Sequence, residues 1–234
     1  RHGQWDKTLD DLVAALKQTV PGRLAIVASA RLSNEELYLV RRLAQHLGAP
    51  TDCVPRTGEP DGFLLSRDRN PNTTGATLLG IAANPPGSNI PRFAKLIREG
   101  KIRVLVAIGE DVSRYGIPPE VLEALDLLVS SDIHHNNTTR LSHFVLPGCA
   151  HFEKQGTFTN IHGRVQRFEK AVQPPANARP ELHWLADLVA RLAGQFVPKA
   201  AECVFELMRE EIPGFKPLSW EMVGPQGATI HNTT

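Results

Sequence analysis

The sequence has 234 residues, of which 41% are hydrophobic and 22% are charged, and its formal net charge is +1. A chain of this length and composition buries a sizeable core, as one large domain or two small ones. Basic and acidic residues are interspersed, which gives no electrostatic footprint for nucleic acid or for a membrane surface. No apolar run approaches the roughly 20 residues that span a bilayer, so no direct membrane span is predicted.

The number and spacing of the cysteines limit which disulfide and metal sites the chain can form. Cys53, Cys149 and Cys203 are far apart, and no C-x-x-C pair is present. The chain alone therefore provides neither a disulfide framework nor a four-cysteine zinc or iron–sulfur site. We expect a reducing, cytoplasmic compartment and interpret Cys149, beside a predicted strand, as a buried inert thiol rather than a nucleophile.

Hydrophobic periodicity predicts strands that alternate with helices. Such alternation indicates an α/β fold, with a mostly parallel sheet and flanking helices. The short apolar runs 23–29 and 102–109 are typical of buried strands, and Ser33 with Glu36 forms a capping box that predicts a helix start. We expect an α/β body over residues 1–195, followed by a helix and an irregular tail over 196–234. In chain order the predicted elements are helix 6–19, strand 23–29, helix 33–47, extended segment 51–55, helix 90–100, strand 102–109, short helix 118–125, strand 126–132, strand 143–148, helix 182–192 and a helix near 200–211.

A long segment rich in Pro, Gly and Asn, residues 55–90, interrupts this alternation. Loops of this length in compact domains are usually functional or hold down a neighbouring segment. Here Phe63, Leu64 and Leu65 stand close to three arginines, and arginine beside apolar residues is typical of the centre of an interface. The arginines are Arg56, Arg67 and Arg69. The alternative is that Phe63 and Leu65 anchor the loop to the core of the domain itself.

Three polar segments follow predicted strands, as "GEDVSRYG", "SSDIHHNNTTR" and "PGCAHFEKQGTFTN". The carboxyl ends of parallel strands share one edge of the sheet, so these segments predict a polar cleft there. Glu110, Asp111 and Asp132 are candidates for an acid/base or magnesium cluster. Acidic residues after strands also cap the next helix, and that alternative is favoured. We find no nucleotide-binding glycine motif and no nucleophile elbow.

Residues 153–167 carry an unusual density of polar side chains beside the predicted strand 143–148. We interpret the segment as irregular, packed against the sheet, with Thr159 and Asn160 bonding backbone groups, although Arg164 and Gln166 alternate with apolar residues as on an edge strand. Arg164 could clamp a carboxylate of its own protein or of a partner. These residues are candidates for structural or interface roles.

Four stretches together resemble the molybdopterin-oxidoreductase superfamily. They are "SRDRNPNTTGATLLG" (66–80), "IREGKIRVLVAIGEDV" (97–112), "LDLLVSSDIHHNNTTRLSHFVLPGCAHFEKQGTFTNIHGRVQRF" (125–168) and "QPPANARPELHWLADLVARLAG" (173–194). Within that superfamily the chain looks most like the large iron–sulfur subunit of complex I-type NADH:quinone oxidoreductase, called G in bacteria. The run GTFTN-x-x-GRVQR carries most of the specificity.

Three positions separate this branch from the molybdenum enzymes of the superfamily. Such enzymes usually have Gly-Glu-Asn where this chain has Gly109, Glu110 and Asp111. They usually have Thr-Glu-Thr-Ala where this chain has Asn-Asn-Thr-Thr (136–139), and two arginines before Val-Gln where it has Gly163 and Arg164. All three differences resemble the complex I branch.

The resemblance implies a superfamily body that has lost its cofactor and supports neighbouring subunits of a respiratory or related electron-transfer complex. No cofactor is expected in this chain, whereas the parent complex would carry iron–sulfur clusters, FMN and NADH. The expected location is cytoplasmic and peripheral to the membrane through that complex. Two alternatives stay open, namely a part of a formate dehydrogenase or related molybdopterin enzyme, and a free-standing α/β ligand-binding protein.

Overall fold

A parallel sheet is the centre of the fold in the computed structural model, which describes residues 4–175, 177–224 and 226–230. The strands are β1 (Leu24–Ala28), β2 (Thr51–Cys53), β3 (Val104–Ile108), β4 (Leu127–Asp132), β5 (Phe144–Pro147), β6 (Gly156–Thr159), β7 (Arg164–Phe168) and β8 (Ala228–Thr229). The helices are α1 (Trp5–Lys17), α2 (Asn34–Leu47), α3 (Thr73–Leu78), α4 (Ile90–Arg98), α5 (Pro119–Leu122), α6 (Asn137–Leu141), α7 (Glu181–Ala193) and α8 (Ala201–Glu211).

The first five strands are all parallel and lie in the order β2-β1-β3-β4-β5. This confirms the predicted fold class. Strands β1 and β3 are buried along their whole length because helices cover both faces of the sheet, as their continuous apolar sequences predicted. The strand order reverses between β1 and β3, and ligands of doubly wound folds bind beyond the carboxyl ends of the strands at such a point.

Alternate residues of β1, β3 and β4 enter two separate cores. Leu24 and Ile26 belong to the larger core, which also contains the apolar faces of α1, α2, α7 and α8. Ala25 and Val27 point the other way, into a smaller core closed by α4 and α5. At roughly 25 cal/mol per Å² of buried apolar surface, these two cores provide the main stabilisation of the fold.

Helix α2 begins and ends where its sequence predicted. The Ser33 side chain accepts a hydrogen bond from the N–H of Glu36, and the Glu36 carboxylate accepts one from the N–H of Ser33. This reciprocal capping box satisfies two donors that the first helical turn leaves free. Gly48 ends the helix in the left-handed conformation, at φ 60°, which glycine adopts without a steric penalty.

The structure corrects the interpretation of residues 153–167. They are not an irregular segment, because β6 and β7 pair as an antiparallel hairpin, and β8 adds a third strand at the edge of β7. The tail predicted as irregular therefore contributes a strand. This small sheet packs on α2 and α3 rather than on the parallel sheet. Two short helices, α3 and α6, were also absent from the prediction.

Helix α8 and the segment after it pack into the larger core. Phe205, Phe215 and Trp220 form edge-to-face aromatic pairs there, with ring centroids 6.3 Å and 5.7 Å apart. Such geometry is favoured by the quadrupoles of the rings. Among the described residues, none of the helices combines the length and the apolar character that a bilayer crossing requires.

Candidate functional site

The loops after β1, β3, β4 and β5 surround a cleft of about 390 Å³ at the carboxyl edge of the parallel sheet. As predicted, the three polar segments of the sequence meet here. The lining includes Ser29, Arg31, Arg56, Asp111, Arg114, Tyr115, Asp132, His134, His135, Cys149, His151, Lys154 and Glu181. Arginines, carboxylates and histidines thus face one another across the switch point of the strand order.

Glu110 lies beneath the cleft, where its side chain is fully buried. Its two carboxylate oxygens accept hydrogen bonds from the guanidinium group of Arg56 at 2.8 Å and 2.6 Å. Arg31 lies on the other side, with Nη2 3.9 Å from the Glu110 carboxylate, and donates to the carbonyl of Gly109 at 2.7 Å. A buried carboxylate needs a paired cation, so Arg56 serves the fold at this position.

Asp111 binds the neighbouring loop. Its Oδ1 accepts hydrogen bonds from the Ser113 hydroxyl at 2.7 Å and from the hydroxyl of Thr138, in helix α6, at 2.8 Å. Burial raises the pKa of Asp111, but the hydrogen bonds from Ser113 and Thr138 outweigh this effect and hold the pKa below its ordinary value. Arg114 adds a salt bridge at 3.4 Å.

Asp132 stabilises the turn that leads into helix α6. Its Oδ1 accepts from the backbone N–H of Ile133 at 2.7 Å, and its Oδ2 accepts from the side-chain amide of Asn136 at 2.8 Å. Asn136 in turn caps the helix by accepting from the N–H of Thr139. Neither Asp111 nor Asp132 caps the helix that follows its strand, which corrects the favoured prediction: Asp111 makes no side-chain capping bond to the short helical turn after it, and the N-cap of α6 is Asn136. Both carboxylates instead hold the loops at the carboxyl edge of the sheet through side-chain and turn contacts.

A buried lysine forms the inner wall of the cleft. The Nζ of Lys154 lies 2.9 Å from the Glu36 carboxylate and 2.7 Å from the Glu181 carboxylate, and all three side chains are at most 5% exposed. Burial lowers the pKa of Lys154, but the two carboxylates more than offset this effect and hold the pKa above its ordinary value. No sequence pattern pointed to this triad, since its members come from three distant segments.

Every cationic side chain that lines the cleft has a carboxylate within reach. Arg31 and Arg56 face Glu110, Arg114 faces Asp111, and Lys154 lies between two glutamates. The cleft is thus charge-matched by its own residues. Within residues 4–175, 177–224 and 226–230, no group of three His, Cys, Asp or Glu side chains is arranged to hold a metal ion.

Cys149 is buried in the cleft wall and 4% exposed. Burial, together with the negative charge of Glu181, raises the pKa of its thiol to about 12. A thiol with such a pKa stays protonated at neutral pH and is a poor nucleophile. This agrees with its interpretation as an inert buried cysteine.

A second polar cluster joins the β6–β7 hairpin to the first turn of α2. Glu35 is fully buried, and its carboxylate accepts from the N–H of Thr157 at 2.9 Å and from the Thr157 hydroxyl at 2.6 Å. Burial raises the pKa of Glu35 to about 7, although the hydrogen bonds from Thr157 lower it. A Cβ at Gly156 would lie 2.7 Å from the Cβ of Ser33, so only glycine allows this close approach.

Thr159 does not bond backbone groups through its side chain, which corrects the prediction. Its hydroxyl faces the side-chain amide of Asn34, 3.1 Å from Nδ2 and 3.2 Å from Oδ1, while its N–H donates to Asn72 Oδ1 at 2.8 Å. A Cβ at Gly75 would lie 2.1 Å from Asn34 Oδ1 and 2.2 Å from Asn72 Oδ1. Glycine there makes room for both asparagines.

Asn160 and Arg164 act at the turn and at the edge of the hairpin. Asn160 Oδ1 accepts from the N–H of His162 at 2.9 Å and of Arg164 at 3.0 Å, as predicted for a backbone-bonding asparagine. Arg164 donates to the carbonyl of Gln226 at 2.7 Å. Within the described residues its contact is thus a carbonyl, where the sequence suggested a carboxylate.

Arg67 and Arg69 lie away from these clusters, on an exposed hairpin formed by residues 56–69. Arg69 donates to the carbonyl of Glu59 at 2.7 Å and so braces the hairpin from within. The side chain of Arg67 is exposed. Phe63 and Leu65 are 87% and 52% exposed, so the alternative that they anchor the loop in the core of the domain is wrong.

The model of the molybdopterin oxidoreductase family matches residues 72–191, which include the cleft loops after β3, β4 and β5 and the β6–β7 hairpin. The chain belongs to the molybdopterin oxidoreductase family. This confirms the superfamily that the four sequence stretches resembled. The match does not distinguish the branches within the family.

Relatives from different branches resemble this family member to a similar degree. The G 2 subunit of NADH-quinone oxidoreductase from Rhizobium meliloti is 31% identical over 147 residues, which is 61% of this chain and 17% of the relative. The F420-dependent formate dehydrogenase 2 subunit alpha of Methanococcus maripaludis is 36% identical over 110 residues, which is 46% of this chain and 16% of the relative. Among solved structures, acetylene hydratase from Pelobacter acetylenicus aligns with a TM-score of 0.42 at 18% identity, over 60% of this chain and 20% of that chain. The chain spans about a sixth of the length of these curated relatives.

Proposed function

We propose that the chain is a non-catalytic structural portion of the large iron–sulfur subunit of a complex I-type NADH:quinone oxidoreductase. In this role it binds neighbouring subunits on the cytoplasmic side and carries no cofactor of its own. The iron–sulfur clusters, FMN and NADH of such a complex would be bound by other parts of the assembly. The family membership and the similarity to a bacterial NADH-quinone oxidoreductase protein support this proposal.

The charge matching of the cleft is the observation that carries the proposal. A pterin cofactor brings phosphate groups, and proteins bind phosphates with free arginines, lysines and helix N-termini. In this cleft Arg56 is held by two hydrogen bonds to Glu110, and Lys154 lies between Glu36 and Glu181. A phosphate would have to displace these carboxylates and leave Glu110 buried without a partner, which is costly. The charges of the cleft therefore do not suit a pterin dinucleotide.

A second candidate is a portion of a formate dehydrogenase-type enzyme whose cofactor enters the same cleft. The similarity to formate dehydrogenase subunits favours it. The buried hydroxyls of Ser130 and Ser131, near the end of β4, have no hydrogen-bond partner among the described residues, but they do not line the cleft and add no support. The third candidate, a free-standing α/β ligand-binding protein, requires no partner subunits.

Purification of the tagged chain from its own cell, with every protein that accompanies it, separates these candidates. We expect the subunits of an NADH dehydrogenase to co-purify and the separated chain to contain no stoichiometric Mo, W or Fe and no pterin fluorescence. One equivalent of molybdenum or tungsten bound to the separated chain would overturn the scaffold proposal in favour of the enzyme. Recovery of the chain without any partner would favour the ligand-binding protein.

A further inference from the structure

The tip of the 56–69 hairpin presents three consecutive apolar side chains to solvent. Phe63, Leu64 and Leu65 are 87%, 79% and 52% exposed. We call these three residues the apolar tip. Single exposed apolar residues are common on protein surfaces, whereas a contiguous group of large ones marks an interaction site.

One carboxylate holds the apolar tip in shape. Asp61 Oδ1 accepts hydrogen bonds from the N–H groups of Phe63 at 2.9 Å, Leu64 at 2.9 Å and Leu65 at 2.7 Å. The pKa of Asp61 lies below its ordinary value because these backbone donors, Phe63 first, favour the ionised form. The tip is therefore an ordered turn, and an ordered group loses less conformational entropy on binding than a flexible one.

The base of the hairpin is braced as well. Thr57 and Asp68 form a β-bridge, and backbone hydrogen bonds join Gly58 to Arg67 and Arg69 to Arg56 at 3.0 Å and 2.9 Å. Arg56 then fixes the base to the body through its two hydrogen bonds to buried Glu110. The apolar tip is thus held at a fixed position relative to the parallel sheet, by a chain of contacts that ends at the edge of the cleft.

We propose that the apolar tip is a docking element that inserts into an apolar pocket of a different protein subunit. The inference rests on the proposed function, in which the chain works within a multi-subunit complex. The charges of the hairpin disfavour an anionic lipid surface as the binding partner. Residues 57–69 contain two arginines and three carboxylates, whereas lipid-binding segments are rich in Lys and Arg. Arg67, exposed beside the tip, suits an acidic group at the rim of the pocket.

The apolar tip is smaller than a whole interface, which buries about 800 Å² on each partner. It would act as the central anchor, since binding energy concentrates in a few side chains that fill a pocket. Disturbing it should therefore weaken assembly strongly although it changes few contacts.

Site-directed photo-crosslinking within the intact parent complex tests the docking proposal. Leu64 is replaced by p-benzoylphenylalanine, and the matched control carries the same photo-crosslinker at Glu123, an exposed position at the end of α5. After illumination, mass spectrometry of crosslinked peptides should show Leu64 joined to one other subunit and Glu123 joined to none at comparable yield. Crosslinks to the same polypeptide, to a second copy of it or to lipid, or no crosslink at all, would overturn the proposal.

A double variant, Phe63→Asp with Leu64→Asp, measures the contribution of the apolar tip to assembly. Both side chains are exposed, so the melting temperature of the chain should stay within about 2 °C of the unsubstituted protein. The fraction of chain recovered in the complex should fall at least tenfold. Phe196→Asp is the control, because Phe196 is 90% exposed at another place and its loss should leave assembly unchanged.

The variant Asp61→Ala tests whether assembly depends on the ordered conformation of the apolar tip as well as on its apolar side chains. This variant keeps all three apolar side chains but removes the acceptor of three hydrogen bonds, and recovery in the complex should fall by a smaller factor than in the double variant. Normal assembly of the Phe63 and Leu64 double variant would overturn the inference while leaving the proposed function intact. If the unsubstituted chain co-purifies with no subunit, both the proposed function and the inference are wrong.

Discussion

Glu35 accepts two hydrogen bonds from Thr157, one from the backbone N–H and one from the hydroxyl, across 122 residues of sequence. The pair joins the first turn of helix α2 to strand β6. The Glu35 carboxylate is fully buried, and none of its hydrogen bonds from the described residues comes from a cation. From this relationship we expect the attachment of the hairpin to depend on pH.

The stability of the domain should fall as pH rises through the titration range of Glu35. The folded pKa is about 7 against an ordinary 4.5, so the folded state binds this proton more tightly than the unfolded state. The stabilisation is complete below pH 4.5 and is lost by the time pH passes 7. The loss should be about 3 kcal/mol in the free energy of unfolding, measured by urea denaturation between pH 4.5 and 8.

Glu35→Gln provides the control, because glutamine has no proton to release in this range. The difference in stability between the two proteins should change by about 3 kcal/mol from pH 4.5 to 8, in favour of the variant at high pH. A constant difference over this range would show that Glu35 titrates normally. Thr157→Val should move the midpoint of the change upward, because it removes a donor that favours the ionised form.

Replacement of the buried Lys154 should strongly lower the free energy of unfolding. Lys154→Met leaves Glu36 and Glu181 buried without their cation, and we expect a cost of about 3–5 kcal/mol in the free energy of unfolding. Lys7→Met is the matched comparison, because the Lys7–Asp11 salt bridge is exposed and such pairs contribute less than about 1 kcal/mol. Equal effects of the two substitutions on the melting temperature would contradict the role of burial.

Substitution of Arg56 should destabilise the domain more than substitution of its partner Glu110. Arg56→Ala leaves the fully buried Glu110 carboxylate with only Arg31, 3.9 Å away, and should cost about 3 kcal/mol. Glu110→Gln keeps an oxygen for Arg56, whose side chain is 23% exposed, and should cost about 1 kcal/mol. Urea denaturation of both variants at pH 7 checks the order, and a larger effect of Glu110→Gln would refute it.

The turn of the β6–β7 hairpin depends on a single asparagine oxygen. Asn160→Ala removes the acceptor of two backbone N–H groups and should cost about 1–2 kcal/mol. Asn160→Asp retains that acceptor and should restore most of the stability. An unchanged melting temperature for Asn160→Ala would mean that water replaces the side chain without penalty.

The sequence predicted the parallel sheet well because local patterns decide it. The apolar runs that became β1 and β3 and the capping box at Ser33 are signals within a few residues. The convergence of polar loops at one edge followed from the parallel order alone. Short helices such as α3 contain too few residues for a periodic signal, and they were missed.

Pairings between distant residues were not predictable from the sequence. No local sequence pattern around Lys154 predicts that it lies between Glu36 and Glu181. Likewise, the position of Arg56 in a long loop does not predict that it pairs with Glu110. The hairpin was missed for a related reason. Thr157 and Thr159 are polar yet fully buried, because they face the side chains of α2 rather than solvent, so the usual alternation of apolar and polar residues is absent.

The distance along the chain between α2 and β6 has a consequence during synthesis. Asn34, Glu35 and Glu36 leave the ribosome well before their partners Thr157 and Lys154, which lie 122 and 118 residues further on. At roughly 5–20 residues per second, the nascent chain waits about 6 to 25 seconds before that end of the helix meets its hairpin. During this interval the side chains of Asn34, Glu35 and Glu36 can be hydrated, whereas in the folded domain they are buried and bonded to these partners. The polar end of α2 is therefore the part of the helix that costs least to leave exposed while synthesis continues.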